Sequence, residues 1–257
     1  MSEIVSYKQD GAVAVITLNR PDRMNSFTTQ LSLDLLEALE QSNNDDSVRV
    51  VILTGEGRCF SAGADLKSGF DGNSVLDKLQ HEYRPFFSAI ASMPKPVIAA
   101  VNGSAAGIGM SLALQCDLMV MAENAFLLSP FTTISLVPDG GLNWLLVRQL
   151  GYRRAFQLSV ESERIDAPRC VELGLANKSV PADELLGSAM EWAENLSKRA
   201  PLSLAATKKA MRHAMDYDWA SSFDNEAELQ DALTRSEDNA EGVTAFFEKR
   251  APEFKGK

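Results

Sequence analysis

Two turns rich in small residues could do chemistry in this chain. Residues 97–111 (VIAAVNGSAAGIGMS) pass from a buried-strand pattern through small residues directly into an apolar helical pattern. The first N–H groups of a helix lack intrahelical partners and lie at the positive end of its dipole. Residues 59–66 (CFSAGADL) form a second such turn after the strand-like run 50–54. Either turn alone could serve only tight packing, but the pair predicts an oxyanion hole built from two backbone N–H groups.

Asp139 is the carboxylate that could move a proton beside such a hole. It lies in residues 136–146 (LVPDGGLNWLL), where Pro138 and the following glycines indicate a turn before an apolar helix. Two interpretations are open, because Asp139 could cap that helix or act as a general base. An apolar setting would raise the pKa of its carboxyl and strengthen it as a base. The residues expected to provide that setting are Phe131, Leu136, Val137 and Trp144.

Other chemistries lack their motifs. Gly107 and Gly109 are spaced as in a dinucleotide-binding turn, but position 112 is leucine where that motif needs a third glycine. Neither a phosphate-binding P-loop nor the nucleophile elbow of a serine hydrolase occurs in the sequence. His81 and His213 belong to no cluster with metal-ligand spacing, so we interpret both as solvated helix residues.

Composition limits the partners and the compartment. The 257 residues are 45% apolar, which suits one large α/β domain or a core with a small appendage. A net charge of −10 without a Lys/Arg block argues against nucleic-acid and anionic-membrane surfaces. The sequence lacks an apolar signal region and a membrane-spanning run, so we expect a cytoplasmic protein. Cys59, Cys116 and Cys170 are widely spaced, which predicts reduced thiols rather than disulfides or a zinc site.

Strand-like and helical patterns alternate over most of the chain. The helix predicted over residues 29–42 begins after Thr28, a good capping residue. The predicted strands are residues 13–18, 48–53, 97–101, 118–121 and 126–128. The alternation predicts an α/β fold, and periodicity alone favours one open, doubly wound sheet.

The strands stop near Arg199, and a helical tail is predicted from there. Pro201 is well placed in the first turn of a helix, and Leu204, Met211 and Met215 fall on one helical face. The methionines and Trp219 fit either a subunit interface or an ordinary core within the chain.

Together with residues 19–25 (NRPDRMN), the two turns resemble the crotonase superfamily, the enoyl-CoA hydratase/isomerase enzymes, essentially from end to end. The resemblance implies a ββα-spiral core over residues 1–198 and a C-terminal helical segment over 199–257 that builds a homotrimer or a hexamer. It also implies an acyl-CoA substrate, with coenzyme A as part of that substrate and with no metal or further cofactor.

The resemblance also assigns the site residues. It places the oxyanion donors at the N–H groups of Ala64 and Ile108. It expects coenzyme A to be contacted by Arg23, Ala62, Asp65, Leu66 and Lys249, with Lys249 reaching the nucleotide of a neighbouring subunit. It further expects residues 67–84 to line the acyl pocket.

Within the superfamily, the acid–base residues distinguish the activities. Hydratases use two glutamates, and this chain has Ser111 and Phe131 at those positions, neither of which transfers protons at neutral pH. The stretch around Asp139 instead resembles the isomerase branch, which includes an isomerase of phenylacetate degradation and uses a lone aspartate there. We therefore expect an enoyl-CoA isomerase. The alternatives are a hydratase with atypical residues and a catalytically silent acyl-CoA-binding protein.

Overall fold

Ten strands form two sheets in the computed structural model, which describes residues 4–67 and 74–257. The strands are β1 (Val5–Asp10), β2 (Val13–Leu18), β3 (Val50–Gly55), β4 (Cys59–Ser61), β5 (Val97–Val101), β6 (Ser104–Ala106), β7 (Leu118–Ala122), β8 (Phe126–Leu128), β9 (Ile165–Asp166) and β10 (Lys178–Val180). The larger sheet has the order β1-β2-β3-β5-β7-β10 and the smaller one the order β4-β6-β8-β9. Only β1 with β2 and β8 with β9 pair antiparallel in the described ranges.

The chain alternates between the two sheets. In each of three successive repeats, a long strand of the larger sheet is followed after two or three residues by a short strand of the smaller sheet. The pairs are β3 with β4, β5 with β6, and β7 with β8. This alternation is the expected spiral, and the open doubly wound sheet was wrong. The short strands β4 and β6 lie inside the small-residue turns, where local β-propensity is too weak to mark them, whereas β8 was predicted.

Eleven α-helices complete the described chain. They are α1 (Thr29–Asn44), α2 (Val75–Asp77), α3 (Arg84–Ser92), α4 (Ile108–Gln115), α5 (Leu142–Leu150), α6 (Tyr152–Glu161), α7 (Ala167–Glu172), α8 (Leu185–Ser197), α9 (Pro201–Asp216), α10 (Trp219–Thr234) and α11 (Glu237–Glu248). Thr28 caps α1 as predicted, since its hydroxyl accepts the Leu31 N–H at 3.3 Å. Pro201 is the first residue of α9, where its missing N–H costs nothing.

A π-helical segment, Lys78–Tyr83, joins α2 to α3 without a break. In a π-helix each N–H bonds five residues back, so the turn is wider than in an α-helix, and such segments are frequent at functional sites. Lys78 and Tyr83, five residues apart, are the two buried residues of this segment. The wide turn therefore brings one cationic and one phenolic side chain to the interior.

The core lies around the larger sheet. All positions of β3 and β5 are buried, as in parallel strands covered on both faces. The three cysteines are free thiols, buried at Cys59 and Cys170 and half-buried at Cys116. Within the described ranges, no helix combines the length and apolar character needed to cross a membrane.

The C-terminal helices pack on this core through charged contacts. Lys208 Nζ of α9 lies 2.7 Å from Asp117 Oδ2, and Arg212 Nη2 lies 3.0 Å from Asp117 Oδ1. The large apolar side chains of the tail instead face outward: Met211, Tyr217, Trp219, Phe223, Val243, Phe246 and Phe247 are exposed. The alternative of a core within the chain was therefore wrong for Met211 and Trp219, since the latter is 79% exposed.

Candidate active site

The two small-residue turns touch each other through glycines. A Cβ atom on Gly63 would lie 2.9 Å from the Ala106 carbonyl oxygen and 3.6 Å from the Gly107 Cα. A Cβ on Gly109 would lie 2.6 Å from the Ser61 carbonyl oxygen. Gly63 and Gly107 also have φ angles of +97° and +57°, which side chains oppose. The glycines thus allow two backbones to approach more closely than any other residue type permits.

This packing leaves two N–H groups available. The Phe27 N–H donates to the Gly63 carbonyl at 2.7 Å and the Asp65 N–H donates to the Phe27 carbonyl at 2.9 Å, but Ala64 between them donates to nothing in the described chain. Ile108 is the first residue of α4, and its N–H likewise finds no acceptor among the described residues. Both residues line one cavity of about 310 Å³. Two backbone N–H groups without acceptors in the described chain thus belong to residues of the same cavity.

A buried asparagine holds the first turn in shape. Asn25 Nδ2 donates to the Cys59 carbonyl at 2.7 Å, and its Oδ1 accepts the Arg20 N–H at 2.8 Å. Ser61 Oγ donates to the Asn25 carbonyl at 2.8 Å and accepts the Gly63 N–H at 3.2 Å. Residues 19–25, which carried only a resemblance in the sequence, therefore support the turn that presents Ala64.

Three parts of the chain line the cavity. The turns contribute residues 62–66, Gly107 and Ile108. The helical stretch contributes Val75, Lys78, Leu79 and Tyr83. The segment before α5 contributes Phe131, Leu136, Val137 and Asp139, among others. The described part of the predicted acyl-pocket segment therefore does reach the cavity, while its residues 68–73 lie outside the described structure.

Asp139 places a carboxylate in this cavity. Its Oδ1 is buried and has no hydrogen-bond partner in the part of the chain that the structure describes. Burial raises the pKa of the carboxyl from 3.8 to about 6. The capping interpretation is wrong, because the N-cap of α5 is Gly141 and no side chain caps that helix. Trp144, expected beside Asp139, does not line the cavity and lies near Arg148 instead.

The main chain of Asp139 is fixed against α4. Its carbonyl accepts the Ser111 hydroxyl at 2.9 Å and the Leu142 N–H at 3.1 Å. A Cβ on Gly140 would lie 2.5 Å from Ile108 Cδ1 and 2.9 Å from Ser111 Cβ. The sequence marked Gly140 only as a turn residue, and Ser111 only as the replacement of a glutamate. Both residues set the position of the carboxylate.

Of the two carboxylates that line the described cavity, Asp139 is the one without an ion pair. Asp65 Oδ2 lies 3.2 Å from Arg20 Nη2, and Asp65 Oδ1 accepts the Lys67 N–H at 3.2 Å. Arg20 was missed by sequence reasoning. The contacts give Asp65 a structural role at the cavity mouth.

The residues expected at coenzyme A fall into two groups. Ala62, Asp65 and Leu66 line the cavity beside Ala64. Arg23 is exposed at the end of a short 3₁₀ turn, and Lys249 is exposed at the C-terminal end of α11. Neither cation lines the cavity of its own chain, so their contacts with coenzyme A stay predictions.

Tyr83 lies in the segment expected to line the acyl pocket, and it is a cavity residue that the sequence did not single out. It is 3% exposed, and its hydroxyl has no hydrogen-bond partner within the described ranges. Burial, and then the negative charge of nearby Asp139, raise the pKa of the phenol. Lys78 Nζ lies 5.8 Å from the centroid of its ring. No local pattern distinguishes this tyrosine from an ordinary core residue.

Known proteins match the chain over nearly its whole length. The family model described as enoyl-CoA hydratase/isomerase matches residues 8–257. A probable enoyl-CoA hydratase of Rhodobacter capsulatus is 38% identical over 98% of both chains. The 1,2-epoxyphenylacetyl-CoA isomerase of Escherichia coli is 37% identical over 100% of both. The crystal structure of an enoyl-CoA hydratase from Bacillus anthracis superimposes with a TM-score of 0.93 at 34% identity, covering 99% of this chain and 100% of that one.

Proposed function

The chain belongs to the enoyl-CoA hydratase/isomerase family, and from this premise we propose that it is an acyl-CoA isomerase with Asp139 as its single acid–base residue. The family acts on acyl-CoA thioesters. The observation that carries the proposal is the Asp139 carboxyl group in the cavity that Ala64 and Ile108 also line, because its Oδ1 is buried without a partner in the described chain.

The proposed reaction is a proton transfer between two carbons. The thioester oxygen accepts hydrogen bonds from the Ala64 and Ile108 N–H groups, which stabilise the enolate that forms when a proton leaves. The Asp139 carboxylate removes that proton from one carbon and returns it to a carbon two bonds away, so the double bond moves by one position. A carboxyl with a pKa of about 6 is ionised at neutral pH and is still a stronger base than an ordinary aspartate.

The residues at the two hydratase positions favour an isomerase over a hydratase. A hydratase must deprotonate a water molecule and protonate the α-carbon. At the positions of the hydratase glutamates, Ser111 binds the Asp139 carbonyl, and the apolar ring of Phe131 lines the cavity. A catalytically silent binding protein, for its part, has no need of a buried base whose burial costs stability.

The proposed substrates are 3-enoyl-CoA thioesters and acyl-CoA thioesters with an unsaturated or epoxidised ring. The relative named 1,2-epoxyphenylacetyl-CoA isomerase supports the ring-bearing class. Reversible proton transfer neither oxidises nor reduces the substrate, so we propose no metal and no cofactor beyond the coenzyme A of the substrate.

We also propose that three copies of the chain associate through the C-terminal segment, as a trimer or as a hexamer of two trimers. Phe246 and Phe247 on α11 are 78% and 77% exposed, and apolar patches of this kind mark interfaces. Lys249 lies two residues after Phe247, so a neighbour docked here would receive its ammonium. Arg23 and this Lys249 would then contact the phosphates of coenzyme A.

The test compares two reactions of the purified protein. We expect conversion of 3-hexenoyl-CoA to 2-hexenoyl-CoA, followed by absorbance of the conjugated thioester, to exceed hydration of crotonyl-CoA by at least about 100-fold, the effect of a missing acid–base group. Hydration at an equal or higher rate would reject the isomerase and favour the hydratase alternative. Binding of both thioesters without turnover of either would favour the silent protein.

A further inference from the structure

The Tyr83 hydroxyl is an unexplained polar group on a residue that lines the cavity. A buried hydroxyl without a partner costs about 1–3 kcal/mol, and nearly all such groups in proteins are satisfied. Tyr83 is 97% buried, yet its oxygen meets no donor or acceptor in the described residues. Because Tyr83 lines the cavity, a bound ligand is the natural source of its missing partner.

The phenol ring is held in place from several sides. It meets the Phe27 ring edge-on at a centroid distance of 6.0 Å and the Phe86 ring at 5.9 Å. Lys78 Nζ lies 5.8 Å from its centroid, over the ring face rather than at the hydroxyl. The ring therefore cannot easily turn its hydroxyl towards another protein group, and the cation beside it favours a ligand atom with negative partial charge.

Tyr83 and Asp139 approach each other without bonding. The negative charge of Asp139 raises the pKa of the phenol, so the two groups are close, but both oxygens lack hydrogen-bond partners in the described ranges. A direct bond between them would satisfy both, and the fold does not form it. Both residues line the same cavity, so an acyl group on which Asp139 acts would also lie beside Tyr83.

We infer that Tyr83 is a specificity residue whose hydroxyl donates a hydrogen bond to an oxygen atom on the acyl group, and that the preferred substrates carry such an oxygen beyond the thioester. An all-carbon chain would leave this O–H buried and unpaired, and sites that hydrogen-bond a substrate discriminate strongly against analogues that lack the partner atom. The inference rests on the proposed function, because it places the acyl group in this cavity.

The test uses ligands that cannot isomerise. Hexanoyl-CoA and its 4-oxo and 5-oxo analogues have no carbon–carbon double bond to shift, and their binding is measured by titration calorimetry. We expect the wild-type protein to bind at least one oxo analogue about 3- to 10-fold more tightly than hexanoyl-CoA. Tyr83→Phe removes only the hydroxyl and should abolish this preference while leaving hexanoyl-CoA affinity unchanged.

Tyr7→Phe is the matched control. The Tyr7 hydroxyl, on β1, is also buried without a partner among the described residues, but Tyr7 does not line the cavity. Its substitution should leave the preference intact. Equal affinity of the wild-type protein for all three ligands would overturn the inference. An equal loss of affinity for all three ligands in Tyr83→Phe would overturn it as well.

A second measurement avoids variants altogether. The ketone stretching band of the bound oxo analogue should shift to lower frequency than in an aprotic solvent, because a hydrogen bond weakens the carbonyl bond. An unshifted band would count against the inference. Since neither experiment requires turnover, a protein that fails the isomerase assay but keeps the Tyr83-dependent preference would reject the proposed function alone.

Discussion

The Ser111 hydroxyl donates a 2.9 Å hydrogen bond to the main-chain carbonyl of Asp139. Ser111 belongs to α4, which begins with Ile108, one of the two proposed oxyanion donors. This single contact therefore ties the main chain of Asp139, the proposed base, to the helix that presents the Ile108 N–H group. Ser111, which the sequence presented only as a residue unable to transfer protons, therefore contacts the main chain of Asp139 and helps to fix it.

Replacing Asp139 by asparagine should abolish most of the isomerase activity without weakening binding. Asparagine keeps the size of the side chain but cannot accept a proton from carbon, so we expect turnover to fall by about 10²–10⁴-fold with acyl-CoA affinity nearly unchanged. Steady-state kinetics with 3-hexenoyl-CoA measure the turnover, and calorimetric titration measures the acyl-CoA affinity. Turnover close to that of the wild type would eliminate Asp139 as the acid–base residue.

The rate should follow the ionisation of Asp139. Because the base must be deprotonated and its pKa is about 6, kcat/KM should rise with pH, reach half its maximum near that value and level off above it. The measurement is kcat/KM of the wild-type protein as a function of pH at constant ionic strength. Activity that declines as pH rises through this window would mean that the protonated form is the active one.

The same group should link stability to pH. Folding raises the pKa of Asp139 from 3.8 to about 6, so between these values the folded protein binds more protons than the unfolded chain, and stability falls as pH rises. Asp139→Asn should therefore be more stable than the wild type by about 3 kcal/mol above about pH 7. The difference should fall below about 1 kcal/mol at about pH 4. Urea unfolding of both proteins at the two pH values measures the difference in stability. Equal stability of the wild type and Asp139→Asn at the higher pH would contradict the prediction.

Ser111→Ala should impair chemistry through the position of Asp139. Loss of one hydrogen bond worth about 1 kcal/mol predicts a roughly 5-fold lower kcat with little change in KM, because the base is displaced while the coenzyme contacts stay. Ser129→Ala is the control: the Ser129 hydroxyl is also buried but has no partner in the described chain. An unchanged kcat in Ser111→Ala, or an equal loss in both variants, would show that the contact does not orient the base.

Lys249→Ala should weaken coenzyme A binding across a subunit interface. The change removes a contact made equally in the ground and transition states, so KM should rise about 3- to 10-fold while kcat at saturation stays constant. Light scattering after gel filtration should report a trimer or hexamer. The control is Lys209→Ala, which removes another exposed lysine, on α9. A monomer with full acyl-CoA affinity would reject both the assembly and the shared site.

Local chemistry made much of this fold predictable. Residues 13–18, 97–101 and 126–128 form strands with the predicted bounds, and α5 spans Leu142–Leu150 as expected. Apolar runs, capping residues and prolines act over a few neighbouring positions, so they can be read without knowledge of the fold. The composition of the two small-residue turns predicted a pair of backbone donors, and the resemblance to the family assigned them to Ala64 and Ile108.

Contacts between distant segments were decided only by the tertiary structure. The close approach of Gly63 to Gly107, and the bond from Ser111 to the Asp139 carbonyl, join residues far apart in the chain, and no local pattern encodes such a pairing. Trp144 was expected beside Asp139 but lies outside the cavity, because its direction depends on how α5 packs. Tyr83 became a site residue only where a π-helical turn placed it in the cavity with Asp139. The sequence by itself determined which groups could do chemistry, whereas packing determined which of them meet, because the meeting depends on close contacts between elements that the chain order does not specify.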